Sequence, residues 1–93
     1  MKAAARRIAD ASPRSTVTVT GRVVAVRIEP KDAPPSFGVQ LDDGTGRLDA
    51  VFMGRRAIPG IEPGAVVEFH GTVCATRALP RMFNPRYELL APA

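Results

Sequence analysis

The strongest restriction on the fold of this chain is a series of five short β-like segments between Val17 and Leu90, separated by turn signals. The segments are rich in β-branched residues and alternate apolar with polar positions, as half-buried strands do. The central turn reads Asp-Asp-Gly-Thr-Gly-Arg over residues 42–47, and its glycines supply the positive φ that a tight hairpin needs. These features predict an all-β domain, a five-stranded Greek-key barrel.

The first predicted strand, residues 16–28, is long and changes its pattern midway. Apolar residues occupy odd positions up to Val23 and even positions beyond it. We assign this change of phase to Gly21 and the Val-Val step, where it implies a bulge or a sharp coil and leaves Arg22 and Arg27 outward. A long, bent first strand can serve both sides of a small barrel, so the bend favours a barrel over a two-sheet sandwich.

Four more strands and an N-terminal arm complete the predicted organisation. The strands are expected at about 37–42, 47–53, 65–76 and 83–90. Ile58 and Ile61 lie in a connection rich in Pro and Gly and are expected to close one end of the barrel. Residues 1–15 are predicted to form a short helical or disordered arm, because Ile8 is their one large apolar side chain apart from Met1. The domain proper is expected to span residues 16–93.

Arginine dominates the charge of the chain. The 93 residues include 13 Lys and Arg against 9 Asp and Glu, which gives a net charge of +4 and a pI near 10.2. This excess favours polyanionic partners such as nucleic acid, acidic protein surfaces or anionic lipid. Two alternatives are a charge that serves solubility alone and the arginine bias of a genome rich in G and C.

Cysteine use and hydropathy indicate a cytoplasmic protein with no membrane association. The lone Cys74 excludes an internal disulfide, which makes a reducing compartment the expected location. No apolar run approaches the ~20 residues that a membrane span needs. The N-terminus begins with basic residues but lacks the apolar centre of a signal peptide.

No group of residues in the sequence has the pattern of a catalytic, metal or cofactor site. His70 has no nucleophile or acid at a meaningful spacing and is expected at the surface or the barrel rim. A structural zinc site needs more than one Cys, and residues 42–46 lack the later bidentate Glu of a calcium loop. No Gly-Lys-Ser/Thr step is present to bind phosphates. The sequence therefore predicts a binding protein without a cofactor, not an enzyme.

Several short motifs, in their order along the chain, resemble those of the OB-fold family of nucleic-acid-binding domains. They are Val-Thr-Gly-Arg-Val at 19–23, Asp-Gly-Thr-Gly at 43–46, Gly-Arg-Arg at 54–56, Pro-Gly at 63–64, Gly-Thr-Val at 71–73 and Asn-Pro-Arg-Tyr at 84–87. The similarity is to the branch that contains anticodon-binding domains of aminoacyl-tRNA synthetases and the wedge domain of the RecG branch-migration helicase, and to small stand-alone actinobacterial OB-fold proteins. It covers about residues 16–90 and implies a binding surface on the outer face of strands 1 to 3 and its flanking loops.

The resemblance places one set of candidate residues on that surface, and charge adds others. The implied face includes Arg22, Gln40, Arg47, Asp49 and Val51, and the flanking loops add Lys31, Arg77 and Arg81. The step Arg55-Arg56 is either a phosphate clamp or a solvated pair. Arg22, Arg47 and Arg86 have the parity of an exposed stripe, although Asp42, Asp49 and Glu88 share that parity and offer ion pairs to them instead.

Aromatic side chains on the outer face are scarce in this sequence. Parity places Phe37, Phe52, Phe69 and Tyr87 inward and leaves Phe83 as the one candidate stacking platform. Single-strand binders of this kind gain about 1–3 kcal/mol for each base stacked on an aromatic ring. Arginine guanidinium planes can stack in their place, with lower affinity expected.

These observations predict a non-enzymatic domain that binds single-stranded or branched DNA, or RNA, as an accessory to DNA repair, recombination or RNA metabolism. The alternative is a protein-interaction module that uses an exposed strand edge or the apolar patch of Val51 and Met53. A continuous arginine stripe across strands 1 to 3 would favour nucleic acid, and an apolar patch there would favour a protein partner.

Overall fold

The structure is a computed structural model that describes residues 5–30, 32–74 and 78–93. Over these residues it contains one 3₁₀ turn, Ile8–Asp10, and six strands. The strands are β1 (Thr16–Ile28), β2 (Ser36–Asp42), β3 (Arg47–Met53), β4 (Val66–Thr72), β5 (Arg81–Phe83) and β6 (Arg86–Ala91). No helix in the described residues has the length and apolar character needed to cross a bilayer.

The six strands form one sheet in the order β5-β3-β2-β1-β4-β6. Neighbouring strands in this order are antiparallel, except for β3 and β5, which run parallel. Because β5 and β6 are consecutive in sequence but lie at opposite ends of the order, the last part of the chain joins both ends of the sheet into a barrel. The predicted all-β barrel class is confirmed.

The strand count differs from the prediction because the last strand is interrupted. Asn84 has a positive φ of 50°, and the following Pro85 has no amide hydrogen to donate to a ladder. The single strand expected at 83–90 is therefore two strands, and Arg81 lies in β5 and not in a loop. The fourth strand ends at Thr72, earlier than predicted, although Cys74 still forms an isolated bridge to Arg81.

The bend of β1 lies at the Val-Val step and not at Gly21. The register between β1 and β2 shifts between Val23 and Ala25, which leaves Val24 as the extra, outward residue of a bulge. Gly21 pairs regularly with Val67 of β4. The prediction that the alternation of apolar residues shifts at Gly21 was wrong. The glycine is instead required because the backbone of β1 lies very close to that of β2 at Asp42.

The barrel interior is closed at its ends by segments outside the strands. Ile58 and Ile61 of the β3–β4 connection are buried, as predicted. Ile8 is only 2% exposed and packs under the hairpin that joins β2 and β3. The strands supply most of the remaining core: Val17, Val19, Val23, Phe37, Val39, Leu41, Leu48, Ala50, Phe52, Val67, Phe69 and Met82.

Asp43 connects the arm to this hairpin. Its carboxylate accepts hydrogen bonds from the Ile8 amide at 2.8 Å and, within the turn, from the amides of Thr45 and Gly46 and the Thr45 hydroxyl. Desolvation raises the pKa of Asp43, but these four donors together outweigh it and hold the pKa below its ordinary value. The N-terminal arm is therefore attached to the barrel by two contacts with the same hairpin. The Ile8 side chain packs against the hairpin, and the Ile8 amide donates to the Asp43 carboxylate.

Candidate nucleic-acid interface

The outer face of β1, β2, β3 and β5 is built from cross-strand rows. Arg27 of β1 lies opposite Gly38 of β2, and Gly38 lies opposite Val51 of β3. In a neighbouring row, Asp49 of β3 pairs with Arg81 of β5. Directly opposite residues share a face of the sheet, so these side chains occupy one surface, which we call the outer face.

Asp49 is the centre of the outer face. Arg27 Nη2 donates to both carboxylate oxygens of Asp49, at 2.7 and 2.9 Å, and Arg81 Nε donates to Oδ2 at 3.2 Å. Asp49 is only 5% exposed, because the two arginines cover it from opposite sides. A carboxylate with two charged donors is well compensated for its burial. The candidate Asp49 therefore lies on the predicted face, but beneath its arginines.

Arg27 lies flat across β2 at Gly38. A Cβ atom at position 38 would stand 2.6, 2.9 and 3.1 Å from Nη2, Cζ and Nε of Arg27. These near-equal distances place the plane of the guanidinium over the glycine. Any side chain at this position would displace Arg27, so the glycine makes the arrangement possible.

A second arginine cluster lies towards the hairpin end of β2 and β3. Arg47 donates from Nε to Asp42 at 3.1 Å and from Nη1 to the side-chain oxygen of Gln40 at 3.0 Å. Arg22 is opposite Asp42 in the β1–β2 register, but its Nη1 donates to the carbonyl oxygen of Gly64 at 2.8 Å. The register thus places Arg22 and Arg47 on either side of Asp42, and Gln40 is bonded to Arg47, but the Arg22 guanidinium is turned towards the segment before β4.

Apolar side chains occupy the other end of the outer face. Phe83 of β5 is opposite Val51 and is 48% exposed, and Met53 is exposed at the end of β3. The Arg81 guanidinium carbon lies 5.9 Å from the centre of the Phe83 ring, within cation–π range. Phe83, expected as the one outward aromatic, is exposed on this face.

Arg56 is directed at the β1–β2 loop. Its Nη1 donates to the carbonyl oxygens of Glu29 and Pro30, each at 3.0 Å, and its Nη2 donates to that of Ala33 at 3.0 Å. A guanidinium that binds three carbonyls of one loop fixes the loop's shape. Of the two remaining loop candidates, Lys31 lies within this loop, and both Lys31 and Arg77 fall outside the described residues.

Arg55 and Tyr87 meet at the rim of the barrel. Arg55 is exposed, and its Nη1 lies 3.4 Å from the Tyr87 hydroxyl. Tyr87 packs edge-on against the buried Phe52, with ring centres 5.6 Å apart, yet is 41% exposed. The prediction that Tyr87 faces inward is wrong for most of the ring: one edge packs on the core at Phe52, and the remainder is exposed on the terminal strand β6.

Arg86 does not join the other candidates. It lies on β6 opposite His70 of β4, and β4 separates it from β1 and the other strands that carry the arginines of the outer face. Its surroundings are a groove of about 290 Å³ lined by Thr18, Glu68, His70, Arg86, Tyr87 and Glu88. Within the groove, His70 Nδ1 and the Thr18 hydroxyl form a hydrogen bond of 2.8 Å, which ties the histidine into the sheet.

A comparison with protein families identifies the fold's relatives. The family model for tRNA anti-codon, OB-fold nucleic acid binding domains matches residues 17–92. The chain belongs to this OB-fold family. The match covers all six strands apart from Thr16, the first residue of β1, and confirms the resemblance found in the sequence.

Solved OB-fold structures share this architecture at low sequence identity. The second OB-fold domain of replication protein A from Methanococcus maripaludis is 19% identical, with a TM-score of 0.70 over 91% of this chain and 93% of that one. A replication factor A related protein from Methanobacterium thermoautotrophicum is 18% identical, with a TM-score of 0.67 over 92% and 90%. Entamoeba histolytica asparaginyl-tRNA synthetase is 16% identical, with a TM-score of 0.78 over all of this chain and 24% of that one. Curated protein sequences yielded no significant relative.

The outer face contains two residues, Arg27 and Gly38, that the sequence alone does not select as binding residues. Arg27 was placed outward but not counted among the binding residues, and Gly38 was read only as part of a strand. The sequence does contain an indication of this site at Gly38, because a glycine in the middle of a strand often marks a position where another group lies close to the backbone. No cluster of three or more metal-binding side chains occurs among the described residues of this OB-fold domain.

Proposed function

We propose that this OB-fold domain binds single-stranded or branched nucleic acid, DNA or RNA, and catalyses no reaction. The proposed site is the outer face, and the proposed setting is a cytoplasmic accessory role in DNA repair, recombination or RNA metabolism. One observation supports it most: four arginines, Arg22, Arg27, Arg47 and Arg81, project from one side of a nucleic-acid-binding fold.

The surroundings of these arginines favour moderate affinity. Arg27, Arg47 and Arg81 each pair with an aspartate but keep about half of the side chain open to solvent. Each can therefore donate to a phosphate while its aspartate holds it in place. Since Asp42 and Asp49 cancel part of the positive charge, we expect weak binding with little sequence preference.

The test is fluorescence anisotropy with single-stranded DNA, duplex DNA and RNA at low and physiological salt. Four to six arginine contacts predict that log affinity falls with log salt concentration with a slope of about −3 to −4 on a single strand. We expect a single-strand signal and no gain for the duplex. No binding at low salt, or an affinity independent of salt, would rule the proposal out.

A protein partner is the second candidate, and one observation favours it. Val51, Met53 and Phe83 give the outer face an apolar end with two well-exposed large side chains. Exposed apolar patches of this kind often mark protein contacts. A salt-independent complex that is weakened by Met53→Ala, with no oligonucleotide bound, would select this function.

A further inference from the structure

We propose that Arg27, Gly38 and Asp49 form a seat on which one unpaired nucleobase stacks against the Arg27 guanidinium. The inference rests on the proposed function and adds to it the part of the nucleic acid that is recognised. The plane of the Arg27 guanidinium would take the flat face of a base, whereas a phosphate would bind at the N–H groups along its edge. The seat stands in the middle of the outer face, and the aromatic side chains of β2 and β3, Phe37 and Phe52, are buried in the core instead.

The first step is the orientation of the guanidinium. Three of its atoms lie within 3.1 Å of the place a Cβ of residue 38 would occupy, so one face of the group rests on the backbone of β2. The Arg27 side chain is still 50% exposed. The opposite face of the plane is therefore turned to solvent. A planar, weakly hydrated cation in this orientation is a suitable surface for a base.

The second step is the immobilisation of the plane by Asp49. Both short contacts of Arg27 with Asp49 come from Nη2, so the carboxylate holds one edge of the guanidinium against the sheet. Asp49 is itself fixed from the other side by Arg81. A side chain already ordered before binding loses little entropy when a ligand stacks on it.

The third step is the neighbourhood of the seat. Val51 lies opposite Gly38, and the exposed Phe83 ring lies opposite Val51 along the same row. A strand that crosses this row would place one base on Arg27 and a following base near Phe83. Stacking within a duplex covers both faces of every internal base, so the seat predicts a preference for unpaired, unstacked nucleotides.

The experiment compares two labelled probes of equal length, an oligothymidylate and a strand in which every base is replaced by an abasic tetrahydrofuran unit. Gly38→Ala pushes the guanidinium off the sheet without changing the charge of the protein. Arg27→Lys keeps the charge and the ion pair but removes the plane. We expect each variant to weaken oligothymidylate binding by about threefold to tenfold and to leave abasic binding unchanged.

Arg7→Lys is the matched control. Arg7 pairs with Asp10 at 2.7 Å, the same distance as Arg27 to Asp49, but it lies in the arm and outside the outer face. We expect Arg7→Lys to bind both the oligothymidylate and the abasic strand with the affinities of the wild type. Thermal melting of each variant verifies the fold, and if Gly38→Ala is unfolded, Arg27→Lys decides the question alone.

The outcomes separate this inference from the proposed function. Equal wild-type affinity for both probes would overturn the seat while nucleic-acid binding stands. A wild-type preference for oligothymidylate that survives Arg27→Lys would also overturn it. Failure of both probes to bind at low salt would reject the proposed function, and the seat with it. A preference lost in Arg27→Lys and kept in Arg7→Lys would establish the seat.

Discussion

At the scale of single residues, two adjacent arginines in the β3–β4 connection have different surroundings. Arg56 gives its hydrogen bonds to three carbonyls of the β1–β2 loop, whereas Arg55 is exposed and has a long contact with the Tyr87 hydroxyl. The sequence presents them as one cationic step, either a clamp or a solvated pair. The structure assigns Arg56 to the support of a loop that flanks the outer face, and leaves Arg55 open to a ligand.

The two arginines should therefore respond differently to replacement by alanine. Arg56→Ala removes the hydrogen bonds to the carbonyls of Glu29, Pro30 and Ala33, which can turn to water, so we expect a loss of about 1–2 kcal/mol in the free energy of unfolding. Arg55→Ala should cost at most about 0.5 kcal/mol. If Arg55 contacts a phosphate, its loss should weaken binding of every oligonucleotide alike and reduce the salt slope by about 0.7. Urea denaturation and anisotropy measure the two effects.

Arg6→Ala, in the exposed arm, is the control for diffuse electrostatics. An affinity loss in this variant equal to that of Arg55→Ala would mean that the charge acts without a specific contact. Equal destabilisation by Arg55→Ala and Arg56→Ala would contradict the different roles given to the two arginines.

At the scale of elements, β1 connects the two sides of the barrel. Its first half pairs with β4, and beyond the bulge at Val24 it pairs with β2 alone. The two ladders overlap at Arg22, where β1 lies between β4 and β2. At this crossing the strands come very close, which accounts for a glycine at position 21.

Gly21→Val tests this close approach. A Cβ at residue 21 would stand 2.6 Å from the carbonyl oxygen of Asp42 and 3.1 Å from Cγ of Leu41, and backbone cannot give way as a flexible side chain does. We expect a loss of about 1–3 kcal/mol in the free energy of unfolding, measured as a lower urea midpoint. Thr20→Val, an exposed neighbour in the same strand, should change the midpoint little. An unchanged midpoint for Gly21→Val would exclude the close contact.

The elements that the sequence predicts well are those encoded locally. The hairpin at residues 42–47 and the alternation of β2 and β3 follow from turn chemistry and period 2, and Ile58 and Ile61 are the large apolar residues of a connection rich in Pro and Gly. The link from Arg27 to Asp49 joins residues 22 positions apart through a register that the bulge sets. Burial of Ile8 depends on a hairpin 35 residues away. Neither is visible before the strands are aligned.

At the scale of the whole molecule, the net charge of +4 does not produce a uniform positive surface. The arginines of the outer face are interleaved with Asp42 and Asp49, and Arg86 lies in a groove with Glu68 and Glu88. Long-range attraction is therefore modest, and short-range contacts must supply the specificity of the outer face. The architecture supports such contacts because β5 and β6 lie at opposite ends of the sheet and the chain between them closes the barrel beside the outer face.

The closure of the barrel by its arm makes stability depend on pH through Asp43. Because the folded-state pKa of this carboxyl is lowered, its contribution is full above the unfolded value of about 3.9 and is lost as the pH falls through the folded value. Asp43→Asn removes the charged acceptor of the hydrogen bonds from the Ile8 amide and the Thr45 hydroxyl. Near pH 7 we expect the variant to be less stable by about 1–2 kcal/mol.

The decisive measurement is how the difference in the free energy of unfolding between the wild type and Asp43→Asn changes with pH. Wild type and Asp43→Asn should converge as the pH falls below about 4, since protonation of Asp43 in the wild type then removes the same charge. Urea denaturation across this range measures the gap between them. Glu62→Gln, at an exposed carboxylate in the loop before β4, should follow the wild type throughout. A gap that stays constant from neutral to acid pH would show that Asp43 contributes through shape alone, because only its charge can be titrated.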